Sequence, residues 1–221
     1  YWALVKASKQ LADEVDDGDE KAPTHRSTSA GAFKKRETVP LEMRWLIRFM
    51  VNSFIRPVDI KLIQHKHIEV IVGPNTYLRL NLPETKRHTG QVVTMRAANS
   101  VYQRLKQYQE CRGYGKPNDY LFLPEAKDRE GAIQLLTTHF RKILEKANLR
   151  TGQYGQLRTL YSLRHTAITF RLLFGNGIDL LTLARNARTS VEMIERFYSS
   201  NLTAEMNIEM LQSKRIKPNL I

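Results

Sequence analysis

The chain reads as an α+β domain, mostly α-helical, with one small three-stranded antiparallel sheet near its start. Three observations predict this. Apolar residues recur at helical spacing through most of the chain beyond residue 40. Three strand-like runs, HIEVIV (67–72), TYLRLNL (76–82) and QVVTM (91–95), cluster between two blocks of helical pattern. Only a Gly73-Pro74-Asn75 turn and a polar ETKRHTG turn separate the runs, so hairpins are the natural connection. No internal repeat is visible.

In chain order, residues 1–13 fit a helix with Trp2, Val5 and the Lys9 stem on one face. Six acidic residues then crowd Asp13 to Glu20, and Lys21 to Lys35 is rich in Ser, Thr, Ala and Gly. Local charge runs with little apolar content predict a linker. Residues 1–35 are therefore expected to be the end of an upstream region and a linker, an expectation strengthened by a start without methionine. The main domain is expected over 36–202. It opens on Pro40 and LEMRWLIRFMVNSFI, whose Leu41, Trp45, Leu46 and Phe49 repeat at helical spacing. Arg56-Pro57 begins a short helix with Val58, Ile60, Leu62 and Ile63 apolar. After the sheet, helices are expected over 97–110 and 131–147 and within the stretch 161–198. Residues 203–221 are expected to be a tail with a short helix carrying a partial apolar stripe of Met206, Met210 and Leu211.

Composition narrows the function classes. The 221 residues suffice for one substantial core. Lys and Arg number 35 against 22 Asp and Glu, a net charge of +13, and the basic residues are dispersed through folded-looking segments. A binding face for nucleic acid is the commonest use of such a balance; an anionic membrane surface or simple solubility are the others. No apolar run approaches the ~20 residues of a membrane span, and no signal peptide is visible. Cys111, the single cysteine, has no internal disulfide partner, which fits a cytoplasmic protein. No clustered carboxylates or His/Cys spacing suggests a metal site.

The chemistry-bearing stretch is YSLRHTAITFRLLFGNGIDLLTLARNARTSVEMIERFY, from Tyr161 to Tyr198. Arg164 supplies a planar fork for two phosphate oxygens, with the imidazole of His165 beside it. Leu163, Ala167, Ile168, Phe170, Leu172 and Leu173 make this helix look buried nearly all round, and a buried arginine at its head needs an anionic partner. Tyr198, 34 residues after Arg164, offers a hydroxyl able to form an ester with phosphorus. Along its helix Val191, Ile194 and Phe197 follow helical spacing, so Phe197 rather than Tyr198 is expected in the core. Plainer readings stand beside these. Arg164 and His165 also suit a solvent-facing helix start, Arg56 a surface arginine, Asp59 a cap of the short helix and Lys86 a solvated hairpin tip.

These residues in this order resemble the catalytic domain of the tyrosine recombinase (phage integrase) family. SLRHTAIT is similar to the box that holds the family's second catalytic arginine, here Arg164, followed by His165. Three positions earlier the family usually has His, whereas this chain has Tyr161. SFIRPVDIKLI resembles the segment of the first catalytic arginine, Arg56, with Asp59 at a position more often Glu. The family places its catalytic lysine on the second hairpin, which points to Lys86, or Arg87 in another register. Tyr198 matches the nucleophile. Nine residues before it, where His or Trp is usual, stands Thr189, and ARTS puts Arg188 in place of a glycine.

What the resemblance implies is site-specific DNA recombination, integration or excision of a mobile element. Tyr198 would attack a DNA phosphate, form a 3′-phosphotyrosyl linkage and free a 5′-hydroxyl, with no cofactor, metal or ATP. The implied partners are double-stranded DNA carrying an attachment-type site, three further copies of the chain in a tetramer that exchanges tail helices, and accessory DNA-bending proteins. Monomers are the alternative for an isolated domain, and the implied setting is a bacterial or phage-encoded cytoplasmic protein. Two rivals keep the fold: a degenerate DNA-binding protein altered at Tyr161, Arg188 and Thr189, and a type IB topoisomerase. A basic helical protein for RNA or membranes is the third.

Overall fold

The computed structural model describes residues 1–13, 39–83, 90–175 and 177–198. Its centre is the helix α2 (Glu42–Ser53), because Met43, Leu46, Ile47, Phe49 and Met50 are all fully buried. That spread is wider than one helical stripe, and packing follows from it. α2 is surrounded by α1 (Trp2–Asp13), α4 (Arg96–Cys111), α5 (Arg129–Lys146) and α6 (Tyr161–Phe174). Phe49 meets Phe122 edge to face with ring centroids 6.0 Å apart.

The short helix α3 (Pro57–Leu62) follows α2 directly and packs on α5. Pro57 occupies its first turn, where a missing N–H costs nothing. A 3₁₀ turn over His65–His67 leads into the strands β1 (Ile68–Ile71), β2 (Tyr77–Leu80) and β3 (Val92–Val93). They form one antiparallel sheet in that order, with Ile68 opposite Leu80 and Leu80 opposite Val92. Leu78 and Leu80 alternate inward against α4 while Tyr77 and Arg79 face outward, the period-2 pattern expected of a half-buried sheet. After α6 come α7 (Leu180–Asn186) and α8 (Val191–Tyr198), which pack on each other. No described helix is long and apolar enough to cross a membrane. Residues 84–89, with the polar turn expected there, most of 1–35 and the 203–221 tail lie outside the described residues.

Three expectations about faces need correction. Trp2 is 74% exposed, because α1 buries the stripe Leu4, Ala7, Ser8 and Leu11 and Trp2 falls off that line. On α3 the apolar Val58 is exposed while Ile60 is buried. α6 is not buried all round: Leu163, Arg164, Ala167 and Ile168 make one stripe, and Phe174 is exposed. On α8 the buried pair is Ile194 and Tyr198, one turn apart, while Phe197 is 51% exposed. The i, i+4 line won over the i, i+3 line there, because it alone faces the core.

Phe49→Ala empties the junction of α2 with the Phe122 loop. It should cost about 3–5 kcal/mol, read as a lower urea midpoint. A loss below about 1 kcal/mol would show that α2 is not the packing centre.

Candidate active site

The site begins where α2 ends. Phe54 caps α2 in a left-handed conformation, φ 58°. The chain turns there, and two residues later Arg56 precedes Pro57 at the head of α3. Asp59 Oδ2 accepts the Arg56 backbone N–H at 2.7 Å, which closes the first turn of α3. Arg56 is 8% exposed and Asp59 is buried beside it.

A second helix end supplies the opposite wall. Asp179, which the reading of the sequence passed over, starts α7 by accepting the N–H groups of Leu181 and Thr182 at 2.9 and 2.8 Å. The Thr182 side chain, and then these backbone bonds, hold its carboxyl below the usual range. The last turn of α7 closes as a Schellman motif: Thr189 N–H donates to the Ala184 carbonyl at 2.9 Å and Arg188 N–H to that of Arg185 at 3.0 Å. The motif needs a left-handed residue at Arg188, whose φ is 54°. Glycine is the usual occupant; a side chain there costs roughly 1–2 kcal/mol.

Both helix ends aim carbonyl groups at arginines. Arg164, in the first turn of α6 and 3% exposed, donates from Nη1 to the Phe54 carbonyl and from Nη2 to that of Ala187. Arg56 Nη2 donates to the Arg188 carbonyl. Arg188 itself is buried, and its Nη1 lies 3.3 Å from Asp59 Oδ1. Two of the four non-glycine residues with positive φ among the described residues, Phe54 and Arg188, therefore shape one cluster. Such strain concentrates where backbone geometry is used. Arg56 Nη1 is buried with no hydrogen-bond partner among the described residues. Arg129 is a useful contrast: equally buried, it donates to the Lys61, Phe122, Leu123 and Ala126 carbonyls and lies over the Tyr120 ring, so its role is structural.

Tyr198 ends α8 against this cluster. Its hydroxyl is 2.6 Å from His165 Nδ1, and the two rings are tilted with centroids 5.3 Å apart. Burial pushes the Tyr198 phenol up to about 12, with Arg164 pulling it down. Burial, then the Arg164 charge, lowers His165. At neutral pH the pair is therefore a protonated phenol beside a neutral imidazole, and the tautomer with its proton on Nε2 is the one whose Nδ1 accepts from the hydroxyl. Burial also lowers both Arg56 and Arg164, and each guanidinium is partly sustained by Asp59 and by the nearby Tyr161 phenol. Tyr161 is 41% exposed and stacks edge-on to His165 at 5.0 Å. A cleft of about 840 Å³ adjoins this side, lined by Tyr161, His165, Phe197, Phe140 and Arg158 among others.

The structure thus brings together Arg56, Asp59, Tyr161, Arg164, His165, Arg188 and Tyr198 from four separate segments. Thr189 joins through its backbone N–H in the α7 turn. Lys86 and its alternative Arg87 lie outside the described residues. Unforeseen were the carbonyls of Phe54 and Ala187, since backbone acceptors leave no residue-type signal. Among the described residues no group of three His, Cys, Asp or Glu is placed to hold a metal.

The lowered pKa of His165 has a definite sign. An unfolded chain takes up its proton near pH 6.5, whereas the folded chain resists it. The stability from the neutral ring is present above that pH and is lost as pH falls toward the folded pKa. His65, His67 and His139 shift the same way, each chiefly through burial. NMR titration of His165 should give a midpoint below about 6.5, and urea stability should fall from pH 7.5 to 5.5. A raised midpoint would mean that the Tyr198 hydroxyl and Arg164 do not surround the ring as described.

No protein-family model matches the chain, and no curated protein matches it. Solved structures do match in fold. One is the XerH site-specific recombinase bound to difH substrate in a pre-cleavage complex, at 15% identity and TM-score 0.55, covering 96% of this chain and 52% of that one. Another is XerH bound to a palindromic difH substrate in a post-cleavage complex, at 19% identity and TM-score 0.51, covering 93% and 52%. The chain spans about half the length of the structures it matches. The order of helices around one three-stranded antiparallel sheet, and this likeness, show that the chain has the tyrosine recombinase catalytic-domain fold.

Proposed function

We propose that this chain cleaves and rejoins double-stranded DNA at specific sites, with Tyr198 as the nucleophile. The observation that carries the reading is the joint placement of two buried arginines, one with an unpartnered donor, and a tyrosine hydroxyl held by a neutral imidazole. An incoming phosphate would sit between Arg56 and Arg164 and relieve their mutual repulsion. Their fixed donors then neutralise the charge that grows on the non-bridging oxygens in the pentacoordinate transition state. The Tyr198 oxygen forms a bond to phosphorus as its proton passes to His165 Nδ1. The bond to the 5′-oxygen breaks, and that oxygen takes a proton from Lys86, the role the family resemblance suggests. Attack by a 5′-hydroxyl reverses every step, so one ester replaces another and bond energy is conserved.

Integration or excision of a mobile element, a tetrameric assembly on two duplexes and DNA-bending helpers extend the same reading. Support comes from the charge of +13 and from the DNA-bound state of the two recombinase structures that share the fold. The tetramer would exchange the 203–221 tail between neighbours.

A duplex nicked near its cleavage site traps the covalent intermediate, because the released fragment diffuses away. Full-length protein on its native site should give an adduct on a denaturing gel, with the linkage mapping to Tyr198. Tyr198→Phe should abolish the adduct and leave DNA affinity unchanged, while His165→Asn should slow its formation by roughly 10²–10⁴-fold. Specific binding without any adduct would select the degenerate DNA-binding reading. Relaxation of a supercoiled plasmid without strand exchange would select the topoisomerase.

A further inference from the structure

Arg188 occupies the position of the α7 turn that glycine ordinarily fills, yet its side chain is not turned out to solvent. It is buried, with only 7% of the residue exposed, and it is engaged twice by the machinery of Arg56. Its carbonyl accepts Arg56 Nη2. Its guanidinium pairs with Asp59 Oδ1 at 3.3 Å, and the other oxygen of the same carboxylate accepts the Arg56 backbone N–H at 2.7 Å. One residue therefore grips Arg56 at both ends, directly at the guanidinium and through Asp59 at the main chain.

We infer that Arg188 is a positioning residue for Arg56, and that its ion pair with Asp59 sets where the Arg56 guanidinium meets the phosphate. The inference rests on the strand-transfer reading above. The left-handed turn alone would be served by glycine, which adopts that conformation without penalty. An arginine retained there, its charge buried against a carboxylate, gives the side chain a task the turn does not need. Orientation is that task. Asp59 without the Arg188 side chain would keep one oxygen on the Arg56 N–H but lose its 3.3 Å partner on the α7 side, leaving the Arg56 bond to the residue-188 carbonyl to hold the start of α3 to the end of α7 by itself. Transition-state charge stabilisation depends on donors fixed to fractions of an ångström, so such loosening costs rate before it costs binding.

The test compares wild type with Arg188→Gly, Arg188→Ala and Arg188→Lys in the full-length protein. Adduct formation is followed in a single turnover at saturating nicked duplex, and affinity is measured separately for each variant. Arg188→Gly keeps the turn and removes the ion pair, and should slow adduct formation roughly ten- to hundredfold with little change in affinity. Arg188→Lys restores a cation opposite Asp59 and should recover most of that loss, a rescue that a merely structural role would not show. Arg188→Gly cleaving at the wild-type rate overturns the inference, and so does loss of activity in Arg188→Ala alone, since the turn would then be all that matters. If Arg188→Gly fails to fold, a folded but inert Arg188→Lys overturns it. Wild type forming no adduct at Tyr198 is a separate result: it removes the strand-transfer reading and the positioning role with it.

Discussion

Two guanidinium groups buried side by side are the constraint that the rest of this fold accommodates. Burial lowers the hold of both on their protons, the Arg56 charge adds to this at Arg164 and the Arg188 charge at Arg56, and little water reaches either to screen them. The protein answers with backbone carbonyls from the C-terminal ends of two helices, α2 and α7, where the partial negative charge of the helix accumulates. Phe54, Ala187 and Arg188 present those carbonyls, and two of the three need a left-handed backbone to do so. The ends of α2 and α7 and the start of α3 meet in this arrangement. Arg129 shows what complete satisfaction looks like elsewhere in the same molecule. Arg56 differs from it in keeping a buried Nη1 donor with no hydrogen-bond partner among the described residues.

The sequence departures from the family pattern take on physical meaning in this setting. Arg188 replaces a glycine, accepts the strained turn and turns its charge inward onto Asp59. Tyr161 stands where an imidazole is usual, and its phenol sits close enough to Arg56 and Arg164 to favour their charged forms. An imidazole is nevertheless present: His165, the next residue after Arg164, reaches the Tyr198 hydroxyl. The proton acceptor of the proposed chemistry lies on α6 beside an arginine of the site, so one helix turn orders both.

Much of this was legible before any coordinates. α2, α3, α4 and α5 and all three strands fall within a few residues of the predicted spans, because period-3.6 and period-2 patterns with Pro and Gly punctuation report local structure directly. Arg164, His165 and Tyr198 stand out by residue type, whereas Arg56, Asp59 and Arg188 are picked out only by the family resemblance. Faces were less legible than elements. Trp2 and Phe197 look like core residues by type and are exposed, and Tyr198 looks polar and is buried, because which stripe faces inward is decided by partners distant in the chain. The carbonyl cage was invisible for a simpler reason. Phe54 and Ala187 act through atoms that every residue shares, and only the three-dimensional path brings residues 54 and 187 to Arg164.

The central claim, that Arg56 and Arg164 serve to neutralise a phosphate, is tested most directly by removing the charge from the phosphate instead of from the protein. Arg164→Ala and Arg56→Ala variants, verified as folded by circular dichroism, would be given a duplex with a methylphosphonate at the scissile position, where one anionic oxygen is replaced by a neutral methyl group. On the ordinary phosphodiester the account predicts no adduct from either variant. On the methylphosphonate it predicts that Tyr198 attack is restored in at least one of them, because the missing cation has less charge to balance. Equal inertness on both substrates, in variants that still bind the site, would contradict it, and so would full activity of either variant on the phosphodiester.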